Sequence, residues 1–375
     1  MKPASDGKFT ILHTEWSSGW GGQEQRIILE CRKMRELGHR VLIACQPGSG
    51  ILKVAREQGI PVEEVVIRGS FDLRAILQLR RLIRTHGIDV VHTHSGKDSW
   101  VGGFAAKWAG ARLLVRSRHL SVAISKNPLN FVYRMTDGVI TTGEAIRDTM
   151  IVDNGMDPDR ILSIATGVSL DRFDPDRVRG EAVRAEFGIS ADAIVVTMVA
   201  VLRSMKRHDV FLRAAARLRK EFPGIRFLIV GDGPGRASIE ELIRTSGLTG
   251  DCILTGHRRD IPEILAASDI FVLTSDRFEG VPQSISQAMA MRRPVVAAPI
   301  GSIPELIRTE QTGLLATTGD PESFAKEISR LIRDPGLRER LGIAARRHVV
   351  AGYTDDIMAT RTVEFYRHLL ARRKA

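Results

Sequence analysis

Short runs rich in Val, Ile and Leu alternate with amphipathic helical stretches along this chain, and the alternation occurs in two series. A short apolar run bounded by turn residues reads as a buried strand, and strands separated by helical patterns build parallel sheets. The first series comprises FTILHT from Phe9, RVLIACQ from Arg40, EEVVI from Glu63, DVVHTH from Asp89, RLLVRSRH from Arg112 and GVITT from Gly138. The second comprises AIVVTMVAVL from Ala193, IRFLIVGDG from Ile225, CILTGH from Cys252, DIFVLTS from Asp269 and RPVVAAP from Arg293. Between them, DRFDPDRVRGEAVRAEFGIS from Asp171 is polar and poor in β-branched residues, as a linker and first helix would be. The 375 residues also exceed the roughly 250–300 at which one core stops growing. The expected class is therefore α/β, with two Rossmann-like doubly wound domains over residues 1–175 and 176–355. Residues 356–375 form a closing helix with a basic end. Ligands of such sheets bind at the carboxyl ends of the strands.

Charge narrows the range of partners. Up to Arg134 the chain carries 21 Lys/Arg against 11 Asp/Glu, and nearly all of its net charge of +11 falls there. Such a domain attracts anions. Aromatic residues are 5% of the chain and do not interleave with the basic ones, so a stacking platform for nucleic acid is not expected. An anionic membrane surface and a merely solvated basic face remain. The stretch DLRAILQLRRLIRTHG poses that choice locally: Leu73, Ile76, Leu77, Leu79 and Ile83 supply most of its apolar face. Its arginines at 74, 80, 81 and 84 read as solvated in preference to a lipid dock. No run is long enough to cross a bilayer, and MKPASDGKFTILH lacks the apolar core of a signal peptide. Cys31, Cys45 and Cys252 have no metal-ligand spacing and suit a reducing compartment. A cytoplasmic protein is expected, with the inner membrane face as a place of peripheral contact.

Several motifs end at strand–helix junctions. HTEWSSGWGGQEQ runs from a strand through Gly21 and Gly22 into a helix, where paired glycines admit a ligand and the helix start favours an anion. It is not a G-x-G-x-x-G dinucleotide fingerprint. His92 and His94 face the same way on one strand and read as a hydrogen-bonded pair in preference to a metal site. His119 stands at the end of another strand, beside Arg116 and Arg118. Arg203 and Lys206 follow a strand of the second domain, spaced to bracket a diphosphate. Gly231-Asp-Gly-Pro-Gly resembles a nucleotide-binding turn, without the acidic partner that NAD would require.

The most informative stretch is SDIFVLTSDRFEGVPQSISQAMAMRRPVVAAP. A polar loop carries Glu279, and Pro282 is expected at the first position of a helix, where its missing N–H costs nothing. The free backbone N–H groups of Gln283 and Ser284 can then hold a phosphate. Gln287 lies further along the same helix.

Taken together, these stretches resemble the family 4 retaining glycosyltransferases of GT-B fold, over nearly the whole chain. The resemblance implies two domains facing each other across a cleft, with a nucleotide diphosphate sugar held mainly by the second. Arg203 and Lys206 would grip the diphosphate, Glu279 the donor sugar, and Gln283 and Ser284 the distal phosphate. Gly231 would lie near the nucleotide, His257 and Arg258 would line the base, and Gln287 would meet the ribose. Gly22 would approach the phosphates and His119 the reacting sugar, and the last helix would return to the first domain. The acceptor would be a glycan or lipid-linked precursor of a cell-surface polysaccharide. Transfer would retain anomeric configuration and need no metal or other cofactor, since no Asp-x-Asp motif lies in a suitable loop. Three positions differ from the family pattern: Gln287 replaces a glutamate, Val201 an arginine, and Arg207 a glycine. A sugar-nucleotide epimerase of the same fold, or a non-catalytic nucleotide-sugar binder, are the alternatives.

Overall fold

The computed structural model describes residues 7–119 and 131–373. It divides into Met1–Gly167 with Asp355–Ala375, unit 1, and Val168–Thr354, unit 2. The first boundary therefore falls before the position 175 expected from the sequence. The polar stretch that opens at Asp171 belongs wholly to unit 2. Residues 1–6, on which the reading of the chain start partly rests, lie outside the described residues.

Unit 1 is a seven-stranded sheet in the order β3-β2-β1-β4-β5-β6-β7. Its strands are β1 (Thr10–Glu15), β2 (Arg40–Cys45), β3 (Val62–Glu64), β4 (Val90–Thr93), β5 (Leu113–Arg118), β6 (Gly138–Thr141) and β7 (Ile161–Ser163). Every pairing is parallel, including β1 with β4, where Ile11 meets Val90 and His13 meets His92. Parallel strands need crossovers, and helices supply them on both faces. On one face Ile11, Ile43, Val90, Leu113 and Val115 pack with Ile27, Ile28, Met34, Phe365, Tyr366 and Leu369. Those partners come from the helix Gly22–Glu36 and the closing helix Asp355–Arg372. On the other face Leu12, Val91 and Leu114 pack with the helices Leu73–His86 and Gly96–Ala109. The first of these ends at Gly87, whose φ of 59° closes it as glycine does. All three cysteines are buried and free.

The sequence misassigned one face of the helix Leu73–His86. Ala75, Ile76, Leu79 and Ile83 are buried, whereas Leu73 is 60% exposed and Leu77 43%. At 100° per residue Leu73 falls about 60° and Leu77 about 100° beyond the edge of the buried stripe at Ile76. Periodicity alone had absorbed them into it.

Unit 2 is a six-stranded, wholly parallel sheet in the order β10-β9-β8-β11-β12-β13. Its strands are β8 (Val195–Val199), β9 (Arg226–Val230), β10 (Cys252–Gly256), β11 (Ile270–Leu273), β12 (Val295–Ala297) and β13 (Leu314–Leu315). In both units the strand order reverses beside the first strand, between β1 and β4 and between β8 and β11. That reversal is the switch point at which open α/β sheets bind ligands.

Candidate active site

In unit 2 the loops after β8 and β11 leave the sheet side by side, because those strands are paired neighbours. Lys206 Nζ donates to Glu279 Oε1 across the two loops. Three further bonds brace the junction: Thr274 Oγ1 donates to the carbonyls of Lys206 and Arg207 at 2.9 Å, and the Asp276 amide to Met205 O at 3.1 Å. Arg207 adds ion pairs to Asp209 at 2.9 Å and Asp276 at 3.1 Å. Its backbone has φ 51°, ψ 48°, the left-handed region that glycine enters freely. The departure at this position thus exchanges an easy turn for a side chain that ties the two loops. Arg203, just before the one-turn helix Ser204–Lys206, is exposed and has no ion pair among the described residues.

Glu279 is held from behind as well. Gly301 has φ 54°, and a Cβ there would stand 1.9 Å from Glu279 O, so backbone packs directly on backbone. Phe278, next to Glu279, has φ 60°, a conformation costly for a bulky residue and frequent at functional sites. The helix Gln283–Ala290 follows with Pro282 as its N-cap, one place earlier than the sequence suggested. The Ile285 and Ser286 amides bond Pro282 O, so the N–H groups of Gln283 and Ser284 precede the helical ladder. Gln287 is buried one turn on.

Two other expected donor contacts, Gly231 and Arg258, have local roles of their own. Gly231, with φ 144°, lies so close to Ala200 O that a Cβ would stand 2.0 Å away. Gly233 and Gly235 likewise pack on Leu202. The glycine turn therefore shapes the loop leading to Arg203 and Lys206. Arg258 is committed to ion pairs with Glu186 and Asp260, while His257 is exposed.

Unit 1 presents its own switch point. Gly22 is exposed at the start of its helix, where Glu24 accepts from the Gly21 amide at 2.8 Å. Glu15, ending β1, is buried with its carboxyl pushed up to about 8, by burial first and then by the neighbouring Asp98. Asp98 itself accepts from Thr14 Oγ1 at 2.8 Å and from the His94 amide at 2.9 Å. Neither acid was singled out in the sequence, where nothing marks an isolated carboxylate as buried.

Behind this edge stand stacked imidazoles. His13 Nδ1 and His94 Nε2 share a hydrogen bond of 2.9 Å. The two nitrogens of His92 are taken by Ser117 Oγ at 2.8 Å and Tyr366 OH at 2.7 Å. Ligand atoms of His13, Glu30, His92 and His94 all lie within 4.8 Å of one another. Arg26, fully buried 3.9 Å from Glu30, brings a positive charge against them, and burial and Arg26 together push His13 down to about 3. The arrangement favours a hydrogen-bonded cluster over a cation. His119 immediately follows β5, its ring 5.8 Å from that of His94. Its Nε2 is buried without a hydrogen-bond partner. Burial, then Arg26 and Arg116, push its pKa down to about 3, so the ring is neutral.

Comparison with known proteins fits this picture. Residues 180–348 match the family model of glycosyl transferases group 1, and residues 20–172 that of glycosyltransferase family 4. The UDP-Gal:alpha-D-GlcNAc-diphosphoundecaprenol alpha-1,3-galactosyltransferase of Escherichia coli is 30% identical over 276 residues, 70% of this chain and 71% of that protein. The alpha-D-kanosaminyltransferase of Streptomyces kanamyceticus is 28% identical over 78% of this chain and 81% of its own. A glycosyltransferase from Rickettsia africae superposes with a TM-score of 0.86 at 24% identity, covering 97% and 99% of the two chains. Anabaena HepE, solved with UDP and glucose, gives 0.85 at 22% identity over 96% and 99%. The chain belongs to the group 1, family 4 glycosyltransferases of GT-B fold, and it is a glycosyltransferase.

Proposed function

We propose that this glycosyltransferase takes its sugar from a nucleoside diphosphate sugar bound at the unit 2 switch point, with retention and without a metal ion. The Lys206–Glu279 brace carries the reading: it sets a cation and a carboxylate beside the open N–H groups of Gln283 and Ser284. A diphosphate arriving there meets the Lys206 ammonium, the exposed Arg203 and the helix start. These groups stabilise the charge that grows on the leaving phosphate as the sugar–phosphate bond breaks. Glu279, relieved of part of its bond to Lys206, can accept from sugar hydroxyls. The neutral His119 ring, with an open Nε2, suits a hydrogen bond to an uncharged hydroxyl.

The Escherichia coli relative, whose name specifies a UDP-sugar donor and a diphosphoundecaprenol acceptor, supports a lipid-linked glycan precursor as acceptor here. Such an acceptor would bring the enzyme to the cytoplasmic face of a membrane. No described helix is long and apolar enough to cross one. Turnover of a sugar-nucleotide panel, with anomeric analysis of the product and with a chelator present, tests this reading. The expected result is a retained linkage at a rate the chelator does not change. An inverted product, or loss of turnover on chelation, would overturn the corresponding part.

A further inference from the structure

We infer that Arg207 is a positioning residue of unit 2: its ion pair with Asp276 keeps the loops after β8 and β11 in register while the donor takes up Lys206 and Glu279. The inference rests on the donor site proposed above. Four non-glycine residues of the described chain have a positive φ, and two of them adjoin the Lys206–Glu279 pair. Arg207 (51°) directly follows Lys206, and Phe278 (60°) directly precedes Glu279. A left-handed backbone is strained for such residues and persists only where surrounding contacts fix it. Glycine would make the turn at 207 without strain, so the use of an arginine there lies in its side chain.

Asp209, in the first turn of the helix His208–Glu221, aims that side chain. Arg207 Nε and Nη2 donate to its two carboxylate oxygens at 2.9 Å each, a two-point grip that fixes the plane of the guanidinium. Nη1 then donates to Asp276 Oδ2 at 3.1 Å, on the loop after β11. Asp276 Oδ1 lies 3.2 Å from Arg277 Nε, and the Arg277 guanidinium stands 5.9 Å over the Phe278 ring. Contacts therefore run without a break from the residue after Lys206 to the residue before Glu279. Among the described residues two ion pairs cross between these loops, Lys206–Glu279 and Arg207–Asp276. A donor disturbs the first, because its diphosphate competes for the ammonium and its sugar hydroxyls for the carboxylate. The second sets one guanidinium between two carboxylates and leaves no uncompensated positive charge for a phosphate to take. It holds the spacing of the loops when the first is given up.

Turnover of UDP-, GDP- and ADP-linked hexoses and N-acetylhexosamines, read as release of the nucleoside diphosphate, tests the inference on the full chain. Glycine and asparagine both accept the left-handed backbone, so Arg207→Gly and Arg207→Asn keep the turn and remove only the tie. Each is expected to lower kcat about tenfold, with KM changed less than about threefold, because a bound donor can draw the loops together without aligning them. Asp276→Ala should do the same, and Arg207→Gly combined with Asp276→Ala should cost no more than the larger single loss. Melting temperatures should stay with that of the unaltered chain. An unaltered kcat in Arg207→Gly, or losses that multiply to about a hundredfold in the double variant, would overturn the inference. A loss of activity that only follows a lowered melting temperature would do so as well. Lys206→Ala is measured alongside. Its turnover falling while that of Arg207→Gly does not would overturn the positioning role alone, whereas unchanged turnover in Lys206→Ala would overturn the donor reading itself.

Discussion

A single backbone contact decides where Glu279 stands. With φ 54° and only 1.9 Å between a would-be Cβ and Glu279 O, Gly301 accepts no side chain without moving the Glu279 loop. Displacement of a positioned group by about 1 Å can cost on the order of a hundredfold in rate. Gly301→Ala is therefore expected to lower kcat/KM about a hundredfold while circular dichroism stays native, and unchanged kinetics would refute the placement. His119 carries a prediction of a different kind. Its pKa near 3 leaves it neutral from pH 5 to 8, so kcat/KM should show no limb near 6.5 that His119→Asn removes. Neither residue's condition can be read from composition or spacing. The sequence identifies His119 as a strand-end histidine, but its neutrality comes first from burial and then from Arg26, distant in the chain, and Arg116, earlier on the same strand. Gly301 is invisible without its φ angle.

The closing helix Asp355–Arg372 shows how an element far along the chain completes a sheet begun at Thr10. Tyr366 OH meets His92, Thr362 Oγ1 donates to Glu30 at 2.7 Å, and Asp355 pairs with Arg32 at 2.7 Å. Tyr366→Phe leaves His92 Nδ1 buried and unpaired, a loss of about 1–3 kcal/mol expected in denaturant unfolding. The imidazole cluster beneath this helix makes stability depend on pH. His94 is held well below 6.5, by burial first and then by His92 and His13. A depressed imidazole leaves the folded state unprotonated while the unfolded chain takes up its proton below 6.5. Stability is thus full above 6.5 and is lost as pH falls. His94→Gln should remove the share of that dependence that His94 carries, so the stability difference from the unaltered chain narrows by about 1.4 kcal/mol per pH unit below 6.5. A difference constant from pH 7 to 5 would contradict it. Most strands were legible, because β-branched runs between turn residues have few other readings, although β3 covers Val62–Glu64 and leaves Val65–Ile67 of the expected run outside it. The short β7 and β13 were not anticipated: Ile161–Ser163 and Leu314–Leu315 lack the paired valines that mark the equally short β12. The outward leucines 73 and 77 escaped because an apolar residue near a helical stripe counts towards it until neighbours are known.

In each unit the first six strands take the same order, to which unit 1 adds a seventh, so the switch points fall at the same relative position, and the loops carrying Arg203, Lys206 and Glu279 fall at that of unit 2. This much followed from the order of strands and the residues just after them. Glu15, Asp98 and Arg26 at the unit 1 switch point did not, because each is an isolated charge whose meaning depends on burial. The uneven charge was legible as a number, and only the fold shows part of it gathered as unpaired arginines on one helix, Leu73–His86. Calorimetric titration of UDP, GDP and ADP into the unaltered chain and into Lys206→Ala tests the central assignment most directly. One of the diphosphates is expected to bind, and Lys206→Ala to weaken it about 10- to 100-fold, the worth of one charge-assisted hydrogen bond. Affinity that survives the loss of Lys206, or no binding by any of the three, would contradict a diphosphate site at this switch point.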